Sequence, residues 1–201
     1  MKLHYRLGWL AARALSRSLW GFRALWAERI PEAGPVIIAS NHVSNWDPIF
    51  VGLGCPREVH FLAKRELFRN PVLAWLIRKY NAIPVRRGVA DRRALRTAAR
   101  VLDGDGALLV FPEGTRSADG KLGKGRPGVA YLAETTGARV VPACIVASNT
   151  LRALFSTRSP LRVAYGEPMP PPDVGSRESH AEYTARVMKR IGLLKQEVSR
   201  S

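Results

Sequence analysis

PVIIASNHVSNWDPIF (35–50) joins a short apolar run to a histidine, an aspartate and a proline. Residues 35–40 are continuously apolar and bounded by turn residues, which is typical of a buried strand. Residues 47–54 have the pattern of a helix, with Asp47 as N-cap and Pro48 at the first helical position. The stretch therefore predicts a strand, a loop and a helix, with His42 and Asp47 at the two ends of the loop.

The same alternation continues along the chain. Further apolar runs predict strands at 59–63, 82–86, 107–111, 139–147 and 161–166. Amphipathic patterns predict helices at 65–80, 91–104, 127–137 and 178–198. Strands that are apolar throughout indicate a sheet covered on both faces. The sequence thus predicts an α/β fold, in which residues 31–201 form a single domain with a mixed, mostly parallel sheet flanked by helices.

The charge balance restricts the partners. The formal net charge of the 201-residue chain is +16, which indicates a polyanionic neighbour, either nucleic acid or an anionic membrane surface. Cys55 and Cys144 form no C-x-x-C pair, and we expect them to be buried as small apolar residues. The four histidines are scattered along the chain, so no metal site and no bound cofactor are predicted.

Residues 1–30 predict a separate element, a basic amphipathic helix. On a helical wheel Lys2, Arg6, Arg13 and Arg17 share one sector. Apolar residues occupy a separate sector of the wheel: Leu3, Leu7, Leu10, Ala14, Phe22 and Leu25. Three tryptophans, at 9, 20 and 26, add side chains that favour the headgroup region. No apolar stretch is long enough to span a bilayer, so we expect this helix to lie on a membrane surface, the alternative being a helix docked on the protein's own core.

Ligands of parallel sheets gather at the carboxyl ends of the strands, so the segments directly after the strands are the candidates for functional residues. The loop after 35–40 supplies His42 and Asp47, a base and a carboxylate that can orient it. No G-x-S-x-G segment accompanies them, and neither cysteine has the setting of a nucleophile. A His–Asp pair without its own nucleophile predicts that the proton is taken from a substrate hydroxyl.

Two other strand ends carry candidate binding residues. Arg86 ends the strand at 82–86 and Arg87 follows it, and Glu113, Thr115 and Arg116 follow the strand at 107–111. Arginine binds phosphate or carboxylate through two parallel hydrogen bonds. These residues either form an anion site beside His42 or belong to a solvated basic surface.

Four sequence blocks together resemble those of the glycerolipid acyltransferases. NHVSNWD (41–47) is similar to their Asn-His-x4-Asp block, and FPEGTRS (111–117) matches their Phe-Pro-Glu-Gly-Thr-Arg-Ser block. AIPVRR (82–87) and VVPACI (140–145) resemble the second and fourth blocks. The order and spacing also agree, over roughly residues 35–146. Among these enzymes the chain most resembles the 1-acyl-sn-glycerol-3-phosphate acyltransferases.

The resemblance implies a role for each matched residue. His42 would be the general base that deprotonates the acceptor hydroxyl, and Asp47 would orient it. The glycerol phosphate of the acceptor would be held by the following residues: Arg87, Glu113, Gly114, Thr115 and Arg116. Pro142 would shape the acyl-donor side. The donor would be acyl-CoA or acyl carrier protein, used as co-substrate without a bound cofactor.

The resemblance also implies a location and a product. The enzyme would act at the cytoplasmic face of a membrane, as a peripheral or monotopic protein. Its acceptor would be a lysophospholipid, first of all 1-acyl-sn-glycerol-3-phosphate, which acylation converts to phosphatidic acid. Asn81 stands where the second block has glycine, and GRPG (125–128) lacks the aromatic residue of the family's pattern. Two alternatives stay open: another acceptor such as lyso-ornithine lipid, or a non-catalytic basic module that binds membranes or nucleic acid. The sequence carries no nucleic-acid-binding motif, so no nucleic-acid partner is predicted.

Overall fold

The secondary structure alternates as the sequence predicts. A computed structural model describes residues 2–86, 91–117, 119–147, 160–173 and 178–200. The strands are β1 (Arg23–Leu25), β2 (Val36–Ser40), β3 (Val59–Lys64), β4 (Ala82–Val85), β5 (Ala107–Val110), β6 (Arg139–Val146) and β7 (Arg162–Tyr165). The helices are α1 (Leu3–Trp20), α2 (Asp47–Gly54), α3 (Pro71–Lys79), α4 (Arg92–Asp103), α5 (Gly128–Thr136) and α6 (His180–Arg200). Short 3-10 helices cover Ala27–Arg29 and Arg65–Arg69.

All seven strands form one sheet in the order β1-β7-β6-β2-β5-β3-β4. Every pairing is parallel except that of β6 with β7. The predicted α/β fold with a mixed, mostly parallel sheet is therefore confirmed. β2 lies in the middle of the sheet and is buried along its whole length, so its carboxyl end delivers Asn41 and His42 to the centre of one sheet edge.

Each face of the sheet packs against helices and so forms a core. Helices α4, α5 and α6 cover one face, through side chains such as Leu102, Leu132 and Ile191. Helices α1 and α2 cover the other, where Phe50 packs with Phe22. Burial on both faces explains why the strands read as continuous apolar runs. The cysteines, Cys55 and Cys144, are buried and unpaired, as predicted.

The N-terminal helix is shorter than the predicted span of 1–30. It ends at Trp20 because Gly21 adopts a left-handed conformation (φ 58°), in which its amide donates back to the last turn. Phe22 then enters the core, and residues 23–25 pair with β7 as an edge strand. Phe22 and Leu25 therefore do not extend the apolar face of the helix, and the wheel that placed them there was wrong.

The tryptophans of this region also differ from the prediction. The Trp9 indole nitrogen donates to the Gly52 carbonyl over 3.2 Å, and Trp20 packs edge-to-face on Phe50. Trp26 packs against the core on the other face of the sheet. All three rings are therefore half-buried against the protein itself. The outward face of α1 carries leucines instead, namely Leu3, Leu7 and Leu10.

A buried tyrosine locks α2 against the sheet. The Tyr165 hydroxyl is fully buried and donates to the Val51 carbonyl over 2.6 Å. The α2 backbone can approach the ring closely because residue 54 is glycine. A Cβ on Gly54 would lie 2.3 Å from the tyrosine oxygen, whereas a Cβ on Gly52, in the same helix, would meet no atom within 4 Å. Burial raises the pKa of Tyr165 well above its ordinary value, so it remains a donor.

Gly54→Ala is expected to lower the free energy of unfolding by about 1–3 kcal/mol, because the added methyl group displaces the buried Tyr165 ring. Gly52→Ala is the matched control, and it should raise stability by about 0.5–1 kcal/mol through the better helix propensity of alanine. Urea denaturation of both variants measures the difference. Equal effects of the two substitutions would contradict the close contact between α2 and Tyr165.

Candidate active site

His42 is held between two strands at the centre of the sheet edge. It is the second residue after the carboxyl end of β2 and is only 3% exposed. Its ring stacks on Phe111, which follows β5, with 4.0 Å between ring centroids and 18° between planes. Its carbonyl accepts a hydrogen bond from the Ser117 amide over 2.8 Å. Both the ring and the backbone of His42 are thus fixed by the loop 111–117.

Asp47 orients the imidazole from a fully buried position. Nδ1 of His42 donates to Oδ2 of Asp47 over 2.8 Å. The same oxygen accepts from the amides of Val43 (2.6 Å) and Ser44 (2.8 Å). A carboxylate only accepts hydrogen bonds, so Nδ1 carries the imidazole proton and Nε2 is the basic nitrogen.

The position of Asp47 differs in one respect from the sequence prediction. Asp47 is the first residue of α2, and the N-cap residue is Trp46, so the predicted cap was wrong by one residue. The reason is the loop geometry, since Oδ2 of Asp47 is turned back toward the two amides and the ring that precede it. The helix start therefore supplies the orientation of the carboxylate for His42.

Three positioning residues were not found from the sequence. Asn41 is buried and exchanges two hydrogen bonds with Ile145 of β6, one through Nδ2 (3.1 Å) and one through Oδ1 (2.9 Å). Phe111 and Ser117 hold His42 from the other side. Asn41 and Phe111 directly follow β2 and β5, which are neighbours in the sheet. For Asn41 and Phe111 the signal was their place immediately after the two strands, whereas Ser117 had no such signal.

Glu113 is the second buried carboxyl group at this edge and is 7% exposed. Burial raises the pKa of Glu113, and the negative charge of Asp47 raises it further, whereas the Gly123 amide and the Lys195 ammonium lower it. Its Oε1 atom is buried and has no hydrogen-bond partner within the described part of the chain. This oxygen is therefore available to accept a hydrogen bond from a bound molecule.

The rest of the block at 111–117 reaches the surface. Gly114 has φ 71°, and a Cβ there would lie 2.8 Å from Nε of Arg126, so the turn requires glycine. Thr115 and Arg116 are exposed on the far side of this turn. The structure thus brings His42, Asp47 and Glu113 together and leaves Thr115 and Arg116 at the rim.

Arg87 lies outside the described residues, and its neighbours mark a basic cleft. The Arg86 amide donates to Asp91 Oδ2 over 2.9 Å, and Asp91 also caps α4. Arg86 opens onto a cleft of about 1350 Å³ at the ends of β3 and β4. Five further arginines line it: Arg65, Arg69, Arg78, Arg92 and Arg93. β3 and β4 are two and three strands from β2, so the cleft lies roughly 10–14 Å along the sheet edge from His42.

Neither cysteine adds a thiol nucleophile to this edge. Burial raises the pKa of the Cys55 thiol to about 11 and that of Cys144 to about 12, so neither supplies a thiolate near neutral pH. Within the ranges that the structure describes, no three His, Cys, Asp or Glu side chains are grouped so as to hold a metal ion. The arrangement provides an oriented imidazole, a buried carboxyl group and a positively charged approach.

Comparison with known proteins gives consistent matches. The family model described as Acyltransferase matches residues 25–146. The chain is 31% identical over 170 residues to the 1-acyl-sn-glycerol-3-phosphate acyltransferase of Bacillus subtilis, covering 82% of this chain and 83% of that protein. It is 30% identical over 140 residues to the protein of the same name from Streptococcus pneumoniae, covering 69% of this chain but only 51% of the relative.

A solved structure agrees with these matches. The crystal structure of the 1-acyl-sn-glycerophosphate (LPA) acyltransferase PlsC from Thermotoga maritima superposes with a TM-score of 0.72 at 28% identity. The alignment covers 95% of this chain and 81% of that chain. The resemblance indicated by the four sequence blocks is thereby confirmed.

Glu113→Gln is expected to stabilise the protein at neutral and alkaline pH. Because burial raises the pKa of Glu113 above its ordinary value of 4.5, the folded state loses stability as the pH rises through the interval between the two values. The glutamine variant lacks this loss. Its gain in the free energy of unfolding should be present at pH 8 and should vanish as the pH falls to 4.5.

Urea denaturation across this pH range measures the effect, with Glu32→Gln as the control at an exposed carboxylate. A gain for Glu113→Gln that is independent of pH would show that burial does not disfavour the charged form of this group.

Proposed function

The chain belongs to the acyltransferase family, and we propose that it moves a fatty acyl group from a thioester donor to the free hydroxyl of a lysophospholipid. The acceptor is 1-acyl-sn-glycerol-3-phosphate and the product is phosphatidic acid. The donor is acyl-CoA or acyl carrier protein. The observation that carries the proposal is the buried His42–Asp47 pair, which orients a base to which no serine, threonine or cysteine side chain of the described residues is hydrogen-bonded. The names of the relatives support the acceptor.

In the proposed reaction His42 acts first as base and then as acid. Nε2 removes the proton of the acceptor hydroxyl while its oxygen attacks the thioester carbonyl carbon. The carbon–sulfur bond of the tetrahedral intermediate then breaks, and the departing sulfur takes the proton back from Nε2. Asp47 stabilises the imidazolium that exists between these steps. No acyl-enzyme forms, because the attacking oxygen belongs to the acceptor.

The acceptor's glycerol phosphate is held by Arg87, Glu113, Gly114, Thr115 and Arg116. The buried, unpartnered Oε1 of Glu113 suits a glycerol hydroxyl, which donates to it. The turn at Gly114 places Arg116 at the exposed rim, where a phosphate dianion arrives from solvent or from a lipid surface. The arginine-lined cleft beside Arg86 adds a positive potential that attracts the same group.

The enzyme works at the cytoplasmic face of a membrane, on which α1 rests. The outward face of α1 carries Leu3, Leu7 and Leu10, and Arg6 and Arg17 are exposed at its border. None of the helices in the described ranges has the length and apolar character needed to cross a bilayer. A leucine face bordered by arginines suits contact with anionic phospholipids.

His42→Ala is expected to lower kcat by about 10²–10⁴-fold, because the substitution removes the base. The matched control is His180→Ala, since His180 also lies 2.8 Å from a carboxylate, Glu134, but at the start of α6. The assay uses purified protein in detergent with lysophosphatidic acid and each thioester donor, and it follows the product by mass. Full activity of His42→Ala would contradict the mechanism.

Arg116→Ala is expected to raise the KM for lysophosphatidic acid by about tenfold or more with a smaller change in kcat, because a charged hydrogen bond to phosphate is lost. Arg190→Ala, an exposed arginine of α6, is the control and should leave KM unchanged. Lyso-ornithine lipid, an acceptor without phosphate, should not respond to Arg116→Ala. An unchanged KM for lysophosphatidic acid would remove Arg116 from the acceptor site.

A further inference from the structure

A second apolar surface, separate from α1, lies on the 3-10 helix Arg65–Arg69 and on α3. Val72 is 74% exposed and Trp75 is 63% exposed, and Leu67 and Leu76 are also exposed. The α3 residues are spaced so that they share one helix face. Ala74 is the only buried residue of α3, so this helix uses little of its apolar surface for folding. Large exposed apolar side chains that cluster in this way mark an interaction surface.

Positive charge surrounds this surface. The ammonium of Lys79 lies 5.0 Å from the centroid of the Trp75 ring, and the Arg78 guanidinium lies 5.4 Å from that of Phe68. Together with Arg69 these cations line a groove of about 570 Å³ across the helix face. Glu66, which pairs with Lys64 over 3.9 Å, is the one acidic residue in the sequence from 65 to 90. The surface therefore combines exposed apolar side chains with a predominantly positive border.

The location of this surface relates it to the active site. The 3-10 helix follows the carboxyl end of β3, which is parallel to β5 and hence points to the same sheet edge as His42. Trp46 and Ile49, beside the catalytic loop, are also exposed at this edge. The last turn of α3 reaches α1, since the rings of Tyr80 and Tyr5 lie 5.9 Å apart. Helices α1 and α3 are therefore neighbours, although Tyr80 contacts the buried side of α1 and not its exposed leucines.

We propose that the 3-10 helix Arg65–Arg69 and α3 form a second membrane contact, which docks on a surface of anionic phospholipid. Val72, Trp75 and Leu76 enter the interface, and Arg69, Arg78 and Lys79 bind headgroup phosphates in the groove. At a bilayer interface the tryptophan ring faces the apolar layer, and the charged ends of the neighbouring lysine and arginine side chains stay in water. With α1 alone, the protein could rotate about the axis of that helix. The second contact through α3 restricts this rotation and so orients the sheet edge that carries His42 toward the membrane. This inference rests on the proposed function in that the acceptor is a membrane lipid.

The apolar part is tested by Val72→Ser/Trp75→Ser in the full chain. Sedimentation with vesicles of phosphatidylglycerol and phosphatidylcholine should show a partition coefficient about tenfold lower than for the unsubstituted protein, because apolar area no longer leaves water. Tyr131→Ser/Leu193→Ser removes two exposed apolar side chains on α5 and α6 and is the matched control. Circular dichroism checks that all variants fold. Unchanged partitioning of the α3 variant would overturn the proposal.

The charged part is tested by Arg78→Gln/Lys79→Gln. This variant should lose the preference for phosphatidylglycerol over pure phosphatidylcholine vesicles and should bind with a weaker salt dependence. Lys189→Gln/Arg190→Gln, on the exposed face of α6, should retain both. If the two pairs behave alike, the groove does not bind headgroups. If the native chain is a dimer that Val72→Ser/Trp75→Ser makes monomeric without loss of vesicle binding, the surface belongs to a second copy and the membrane proposal is overturned.

Activity separates this inference from the proposed function. With a short-chain, water-soluble lysophosphatidic acid, Val72→Ser/Trp75→Ser should turn over as the unsubstituted protein does, whereas with acceptor embedded in vesicles its rate should fall in parallel with binding. Absence of any transfer by the unsubstituted protein would contradict the proposed function while the vesicle-binding result still decided the role of α3.

Discussion

The site depends on one buried oxygen. Oδ2 of Asp47 accepts hydrogen bonds from Nδ1 of His42 and from the amides of Val43 and Ser44. A fully buried carboxylate is strongly unfavourable unless donors surround it, so the loop must present all of these groups at once. That requirement links the end of β2, the tight loop after it and the first residue of α2. It also fixes the tautomer, which leaves Nε2 as the basic nitrogen.

Further contacts attach the loop that carries His42 to the strands on either side of β2. Asn41 bonds to β6 on one side, and Phe111 and Ser117, after β5, hold His42 on the other. The loop that carries His42 is therefore tied to both neighbours of β2. The same loop after β5 places Glu113 near Asp47, where burial and the negative charge of Asp47 raise the pKa of Glu113. The loop 111–117 thus helps to orient His42 and also contributes Glu113, which we assign to the acceptor site.

Much of the sheet could be predicted because its strands are buried on both faces and read as unbroken apolar runs, as in β2 and β5. The His42–Asp47 pair could be predicted as well, since both residues lie in one short loop. The end of α1 could not, because the apolar pattern continues past Gly21 and only the left-handed backbone there stops the helix. The antiparallel pairing of β7 and the arginine cleft could not either. Both depend on contacts between residues far apart in sequence, which periodicity does not report.

The central claim is that the oriented imidazole activates the acceptor's hydroxyl and that no residue of the protein becomes acylated. Intact-mass measurement after rapid acid quench tests it most directly, with whichever thioester supports turnover. Without acceptor, the account predicts an unmodified protein mass and no release of the carrier thiol beyond background hydrolysis. With lysophosphatidic acid, acylated product and free thiol should appear together at equal amounts. A protein species heavier by one acyl group, formed before acceptor is added and discharged by it, would contradict direct transfer.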